Sequence, residues 1–247
     1  MDNTETHSTG TGFAFTRAAP SQRYRDLIAL YADMHDHGDR QRGKSAAKTF
    51  SGSSLERQAP RIRMLTQSQK ARTLLDYGCG KASLHGQKPV VIDGVDYPDI
   101  AAYWGVEAIT LYDPAYAPYT RLPEGRFDGV ICTDVLEHCP KDDIPWILDE
   151  IFGYARRFVF ANVACFPAMK TLPNGENAHC TIEGPEWWEA RLTEASARHP
   201  EPAFFILLEI EQKAAEGASR YKFLHLAGRA GKVKRPEAPP AAGRAAE

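Results

Sequence analysis

The segment LLDYGCGK, residues 74–81, constrains this chain more than any other. A short apolar run of strand type ends near an acid, Asp76, and breaks into a turn that carries Gly78 and Gly80. Glycine has no Cβ, so such a turn reaches backbone angles closed to other residues and lets main-chain N–H groups come close to a ligand. An anionic group can be held there, near the start of whatever helix follows. Taken alone, the spacing is shared with nicotinamide-binding turns and with glycine pairs that only build tight bends.

The segments that follow narrow the choice. ITLYDP (109–114), FDGVICTDVLEH (127–138) and RRFVFANV (156–163) are short apolar runs of strand type, and two of them end on an acid. In an open α/β sheet that carboxyl edge is where ligands bind. KDDIPWILDEIFGYA (141–155) sets Ile144, Ile147, Leu148, Ile151 and Phe152 on one helical face, which suits a connection between neighbouring parallel strands. AFFILLEIEQ and SRYKFLHLAG read as two closing strands around a short polar loop with Gly217, an antiparallel hairpin.

In order and spacing, these segments resemble the class I S-adenosylmethionine-dependent methyltransferases over about 73–228, and YADMH (31–35) with ENAHCTIEGPEWW (176–188) looks like an uncharacterised branch of that superfamily. The resemblance implies an α/β fold: a Rossmann-like doubly wound sheet, mostly parallel, with a C-terminal antiparallel hairpin. It implies that Asp76, Gly78, Cys79, Gly80 and Lys81 hold the methionine end of S-adenosylmethionine. Asp113, with Pro114 beside it, would grip the ribose hydroxyls, and Thr133, Asp134 and Val135 would line the cofactor and face its methyl group.

The chain also departs from that pattern. Ala82 stands where the family has a third glycine, which fits at helical angles and is strained if φ is positive. Gly86, Pro89, Gly94 and Pro98 interrupt the next stretch, so the first helix should be short or distorted. A third strand is compressed into PYTRLPEG (118–125), and the adenine pocket is not readable.

Methyl transfer needs an aligned acceptor and, for a hydroxyl, a base. Asp134, His138 and His179 are the candidate catalytic residues, and His35 and Asn177 candidates for substrate contact. Each has a structural alternative: Asp134 can cap a turn, His138 can pack against the cofactor. Trp187 and Trp188, near His179, cannot both point the same way on a helix. His35, Asp36, His37 and Asp39 crowd together in MHDHGD, yet Gly38 ends the helix there and no second cluster of known spacing accompanies them, so no metal is expected.

SQRYRDLIALYADMHDHG (21–38) has Tyr24, Leu27, Ile28, Tyr31 and Met34 at helical spacing, Ser21 as N-cap and Gly38 as stop, and should lie across the cofactor side. A second, surface helix covers roughly 55–69 with Leu55, Ile62 and Leu65. The division is a mobile start (1–20), a helical cap (21–70), the core (71–228) and a disordered Pro- and Ala-rich tail (229–247).

With 43% hydrophobic and 25% charged residues in 247, the chain can bury a sizeable core. No apolar stretch approaches the roughly 20 residues of a membrane span, and the polar start is unlike a signal peptide, so a cytoplasmic protein is expected. Cys79, Cys132, Cys139, Cys165 and Cys180 are odd in number without a C-x-x-C pair, which argues against a disulfide framework and a zinc knuckle. Cys79 and Cys132 suit packing; Cys139 and Cys180 lie near the expected site.

Net charge is −2, but 40–72 carries nine Lys and Arg (Arg40, Arg42, Lys44, Lys48, Arg57, Arg61, Arg63, Lys70 and Arg72) against Glu56 alone. Such a run can hold an anion or simply form a solvated face. The leading expectation is methyl transfer from S-adenosylmethionine to a small polar or anionic molecule. A nucleic-acid (RNA) methyltransferase using residues 40–72, and a non-catalytic cofactor- or partner-binding protein, are the alternatives. Oligomeric state is not readable from the sequence.

Overall fold

Alternation along the central strands decides the architecture. In the computed structural model, which describes residues 12–52, 54–86, 88–92, 94–213 and 219–236, neighbouring side chains on each strand enter different cores. Leu74 packs on one face of the sheet and Leu75 on the other; Ile131 opposes Val130 and Cys132; Phe158 and Phe160 oppose Val159, Ala161 and Val163. Strands apolar on both faces must be covered on both faces, which defines a three-layer α/β arrangement.

In chain order the elements are α1 (Gln22–His37), α2 (Ser54–Ser68), β1 (Thr73–Tyr77), β2 (Val90–Ile92), β3 (Val95–Tyr97), α3 (Ile100–Trp104) and β4 (Ala108–Tyr112). Next come β5 (Phe127–Thr133), α4 (Ile144–Tyr154), β6 (Ala155–Ala164), α5 (Pro185–Arg198), β7 (Ala203–Lys213), β8 (Ser219–Arg229) and β9 (Lys232–Lys234). One seven-stranded sheet has the order β4-β1-β5-β6-β7-β8-β9. Strands β4 to β7 in that order are parallel, whereas β8 and β9 are antiparallel to their neighbours. The chain is therefore an α/β protein with a mixed, mostly parallel seven-strand sheet, as its strand pattern implied.

Leu55, Ile62 and Trp104 from α2 and α3 fill one core, and Ile147, Ile151, Trp188 and Leu192 from α4 and α5 fill the other. Trp188 is fully buried while Trp187 is only half-buried, which separates the pair as helical geometry requires. Between β1 and β4 the chain forms a small β2–β3 hairpin and then a helix of five residues, so the glycines and prolines there do shorten the helix. Residues 118–125 form no strand: a 3-10 turn at Ala117–Tyr119 stands there, and β4 is the edge of the sheet. The expected third strand is corrected accordingly; Pro118 and Pro123 cannot donate to a ladder.

Residues 12–20 and 229–236 are more ordered than their composition suggests. Phe13 and Phe15 pack against the second core, and Arg17 reaches Glu150 (2.7 and 2.6 Å), Tyr77 Oη (2.7 Å) and Tyr112 Oη (2.9 Å) while lying 4.7 Å from the Trp146 ring. At the other end β9 adds to β8. Residues 1–11 and 237–247 of the expected mobile ends, and Gly217 of the hairpin loop, lie outside the described residues.

Helix α1 begins as read: Ser21 Oγ accepts from Tyr24 N (3.0 Å), and Gly38 ends it at φ +82°. The cap is tied to the core through Asp143, which is fully buried and accepts from Ser21 N (3.0 Å), Ser21 Oγ and Trp146 Nε1 (2.8 Å). Removing that carboxylate leaves three donors without it. Asp143→Ala is expected to lower stability by about 2–4 kcal/mol, measured by urea denaturation; a loss below about 0.5 kcal/mol would show that the junction contributes little.

Candidate functional site

Strand β1 ends between β4 and β5, so the carboxyl edge opens a crevice at the point where the strand order reverses. The glycine turn occupies it. Gly78 N (2.7 Å) and Cys79 N (3.1 Å) both donate to Tyr112 O, and Gly80 N donates to Asp113 Oδ2 (2.8 Å). Lys81 N and Ser83 N then donate to Phe50 O and Ser51 O, which joins the turn to the segment before α2.

The glycines are required by both angle and space. Gly78 has φ +84° and a Cβ there would lie 2.4 Å from Val135 Cγ2; Gly80 has φ +57° and its Cβ would lie 2.6 Å from Phe50 O. Ala82 has φ +50°, so the residue replacing the expected third glycine does sit in the left-handed region and is strained. Asp134 is in the same region, at φ +53°.

Around this turn lies a cavity of about 610 Å³, within the usual ~300–1,000 Å³ of small-molecule pockets. Its walls include Asp76, Gly78, Cys79, Gly80, Asp113, Pro114, Thr133, Asp134, Val135 and His138, from the strand ends, and His35 from α1. The helix α1 thus covers the cavity, with Tyr24, Leu27, Ile28 and Tyr31 also facing it.

Asp113 is 8% exposed and accepts Gly80 N on one oxygen and Ala115 N (2.9 Å) on the other. Burial raises its pKa, and the two N–H donors oppose that rise. Asp76 is paired with His85 Nε2 at 2.7 Å; its Oδ1 and the His85 Nδ1 are buried without a partner among the described residues. Asp134 accepts from Asn162 Nδ2 and faces the exposed Arg57 at 3.8 Å.

Three expected site residues stand apart from the cavity wall. Lys81 turns to His35, donating to its Nδ1 (3.1 Å) and its carbonyl (2.9 Å), and lies 4.5 Å from the Tyr116 ring. Asn177 spends its amide on Ala168 N, Ala168 O and His179 N, so it shapes a loop rather than offering a hand to a ligand. His179 lies behind His138, ring centres 4.8 Å apart, with Nδ1 on Phe166 O (2.6 Å). Neither Trp187 nor Trp188 lines the cavity.

His35 and His138 are neutral at neutral pH. Burial, then the Lys81 charge, lowers His35 to about 4, and burial, then His179, lowers His138 to about 3. Burial also raises the Cys79 and Cys139 thiols and pushes Cys180 up to about 11, which leaves all three as thiols rather than nucleophiles. The MHDHGD residues do not converge: His35 faces Lys81 and His37 faces Asp33.

Four cations complete the wall, and of these sequence reading missed Lys170. Lys44, Lys48, Arg57 and Lys170 all line the cavity, and Lys170 Nζ sits 4.0 Å from the Phe50 ring. The basic run signalled the first three; Lys170 lies in a loop with no local pattern. No protein-family profile and no curated protein matches the chain. Among the described residues no helix is long and apolar enough to cross a membrane.

Two outcomes follow. Gly80→Ala should cost about 1–3 kcal/mol from angle and overlap together, while Ala82→Gly should be neutral or stabilising because it relieves φ +50°; denaturation midpoints of equal sign for both would contradict this. Because the folded pKa of His35 lies below its unfolded value of about 6.5, the folded state binds fewer protons between pH 6.5 and about 4. Stability is then lost as pH falls through that window, and His35→Gln should show a shallower loss than the parent. Parallel pH–stability curves would remove the assignment.

Proposed function

We propose that this protein is a class I-type S-adenosylmethionine-dependent methyltransferase acting on a small polar or anionic molecule. The observation that carries the reading is the bond from Gly80 N to Asp113 Oδ2, inside a cavity large enough for a nucleoside-sized ligand. It couples the glycine turn to an acid at the end of the neighbouring strand, which are the two features the resemblance assigns to the methionine end and the ribose. Each carboxylate oxygen accepts one main-chain N–H and keeps lone-pair capacity for a ribose hydroxyl.

On this reading the cofactor supplies the reactive carbon, and the protein's work is alignment in a site sheltered by α1. The acceptor would enter beside Lys44, Lys48, Arg57 and Lys170, whose charges favour an anion. His138 is held in the wall through Nδ1, by Ala178 O (2.8 Å) and Tyr31 Oη (2.9 Å), and burial that lowers it to about 3 makes it a weak proton acceptor, so on this reading it positions rather than deprotonates. A nucleic-acid track along 40–72 is disfavoured because the run is divided. Arg63 lies against Tyr97 and Tyr103, Arg72 pairs with Glu107 and Arg61 bonds Gln58, which leaves a local patch at the cavity.

Calorimetric titration with S-adenosylmethionine and S-adenosylhomocysteine tests the reading. Asp113→Ala should weaken binding by about 1.5–3 kcal/mol, roughly 10- to 150-fold, through the loss of charge-assisted bonds. Unchanged affinity would overturn the role of Asp113. Binding without methyl transfer to any anionic acceptor would favour the non-catalytic alternative, and binding of neither compound would contradict the whole proposal.

A further inference from the structure

We propose that Glu137, His138 and His179 form a site for a divalent transition-metal ion, two imidazoles and one carboxylate, at the edge of the cavity. These residues lie on two segments far apart in sequence, joined by Glu137 itself: its carbonyl accepts from Cys180 N (2.8 Å) and Thr181 N (3.0 Å). The result is that one ligand atom from each of the three residues lies within 4.8 Å of the others, the one such group among the described residues.

The two rings are oriented for the task. Nδ1 of His138 lies on Ala178 O and Nδ1 of His179 on Phe166 O, so each ring carries its proton at Nδ1 and presents the lone pair of Nε2. A carbonyl behind the ring is the usual way a ligating histidine is held. Tyr31 Oη, also bonded to Ala178 O, steadies His138 from the cap.

Glu137 supplies the second, independent observation. It is 0% exposed; Oε1 accepts from Ala164 N (2.9 Å), while Oε2 is buried with no hydrogen-bond partner among the described residues. A cation would supply the partner that Oε2 lacks and offset the burial of the carboxyl and the like charge of Asp134, which together raise it above the ordinary carboxylate range.

Metal bonds of about 2.1 Å at tetrahedral angles set ligand atoms about 3.4 Å apart, so a separation of up to 4.8 Å closes by as much as about 1.4 Å on binding, within the reach of small side-chain rotations. An N₂O donor set suits Zn²⁺, Co²⁺, Mn²⁺ or Fe²⁺ better than Mg²⁺ or Ca²⁺, which prefer all-oxygen shells. His138 also belongs to the cavity wall, so the ion would border whatever ligand the cavity takes.

The test is titration of chelator-stripped full-length protein with Co²⁺, followed by its visible absorption, and displacement by Zn²⁺. One equivalent should bind, and Glu137→Gln and His179→Ala should each weaken binding by about 100-fold or more, since losing a ligand costs at least as much as losing its outer-shell support. His37→Gln, at an exposed ring outside the group, should leave it unchanged. If Glu137→Gln fails to fold by circular dichroism, His179→Ala decides. Absence of one-equivalent binding, or binding that His179→Ala retains, would overturn the proposal. No cofactor or acceptor enters the experiment, so its failure leaves the methyl-transfer reading standing, and the converse holds.

Discussion

The end of β4 is the point on which the rest of the site depends. Tyr112 O takes two N–H groups of the glycine turn and Asp113 takes a third, so a loop that would otherwise be free is fixed by its neighbouring strand. Main-chain donors fix the turn in this way, and glycine is needed at 78 and 80 because a Cβ there would meet Val135 and Phe50. The strain at Ala82 and Asp134 lies at the same edge, where surrounding bonds hold the backbone in place.

Buried carboxylates join the other parts to this edge. Asp143 binds the start of α1 to the start of α4, and Glu137 binds the end of β6 and the loop through Cys180 to the turn after β5. Arg17, bidentate on Glu150 and against Tyr77 and Tyr112, fastens the chain before α1 to the same strands. The cap is thereby part of the structure that forms the cavity, and Tyr31 and His35 reach its wall as fixed groups.

Much of this was legible in the sequence where local chemistry is decisive. The short apolar strand runs, the Ser21 cap, the Gly38 stop and the glycine turn each act within a few residues, and Asp113 follows an apolar run directly. What local pattern could not show was contact across the chain. Asn177 looks like a free amide until Ala168 is seen to occupy it; Lys81 looks like a cofactor-loop cation until His35 and Tyr116 take it. Glu137 and His179 are about forty residues apart, and long-range bonds from both main chain and side chains bring them together. Low-complexity composition likewise concealed that Arg17 and the β9 strand find specific partners.

The central claim is that the cavity beside the Gly80–Asp113 bond takes S-adenosylmethionine. A crystal structure of the protein grown with S-adenosylhomocysteine addresses it most directly. The account predicts ribose hydroxyls on Asp113 and the amino-acid end against the turn from Gly78 to Gly80. Electron density for the compound elsewhere, or a cavity that stays free of it at saturating concentration, would contradict the account.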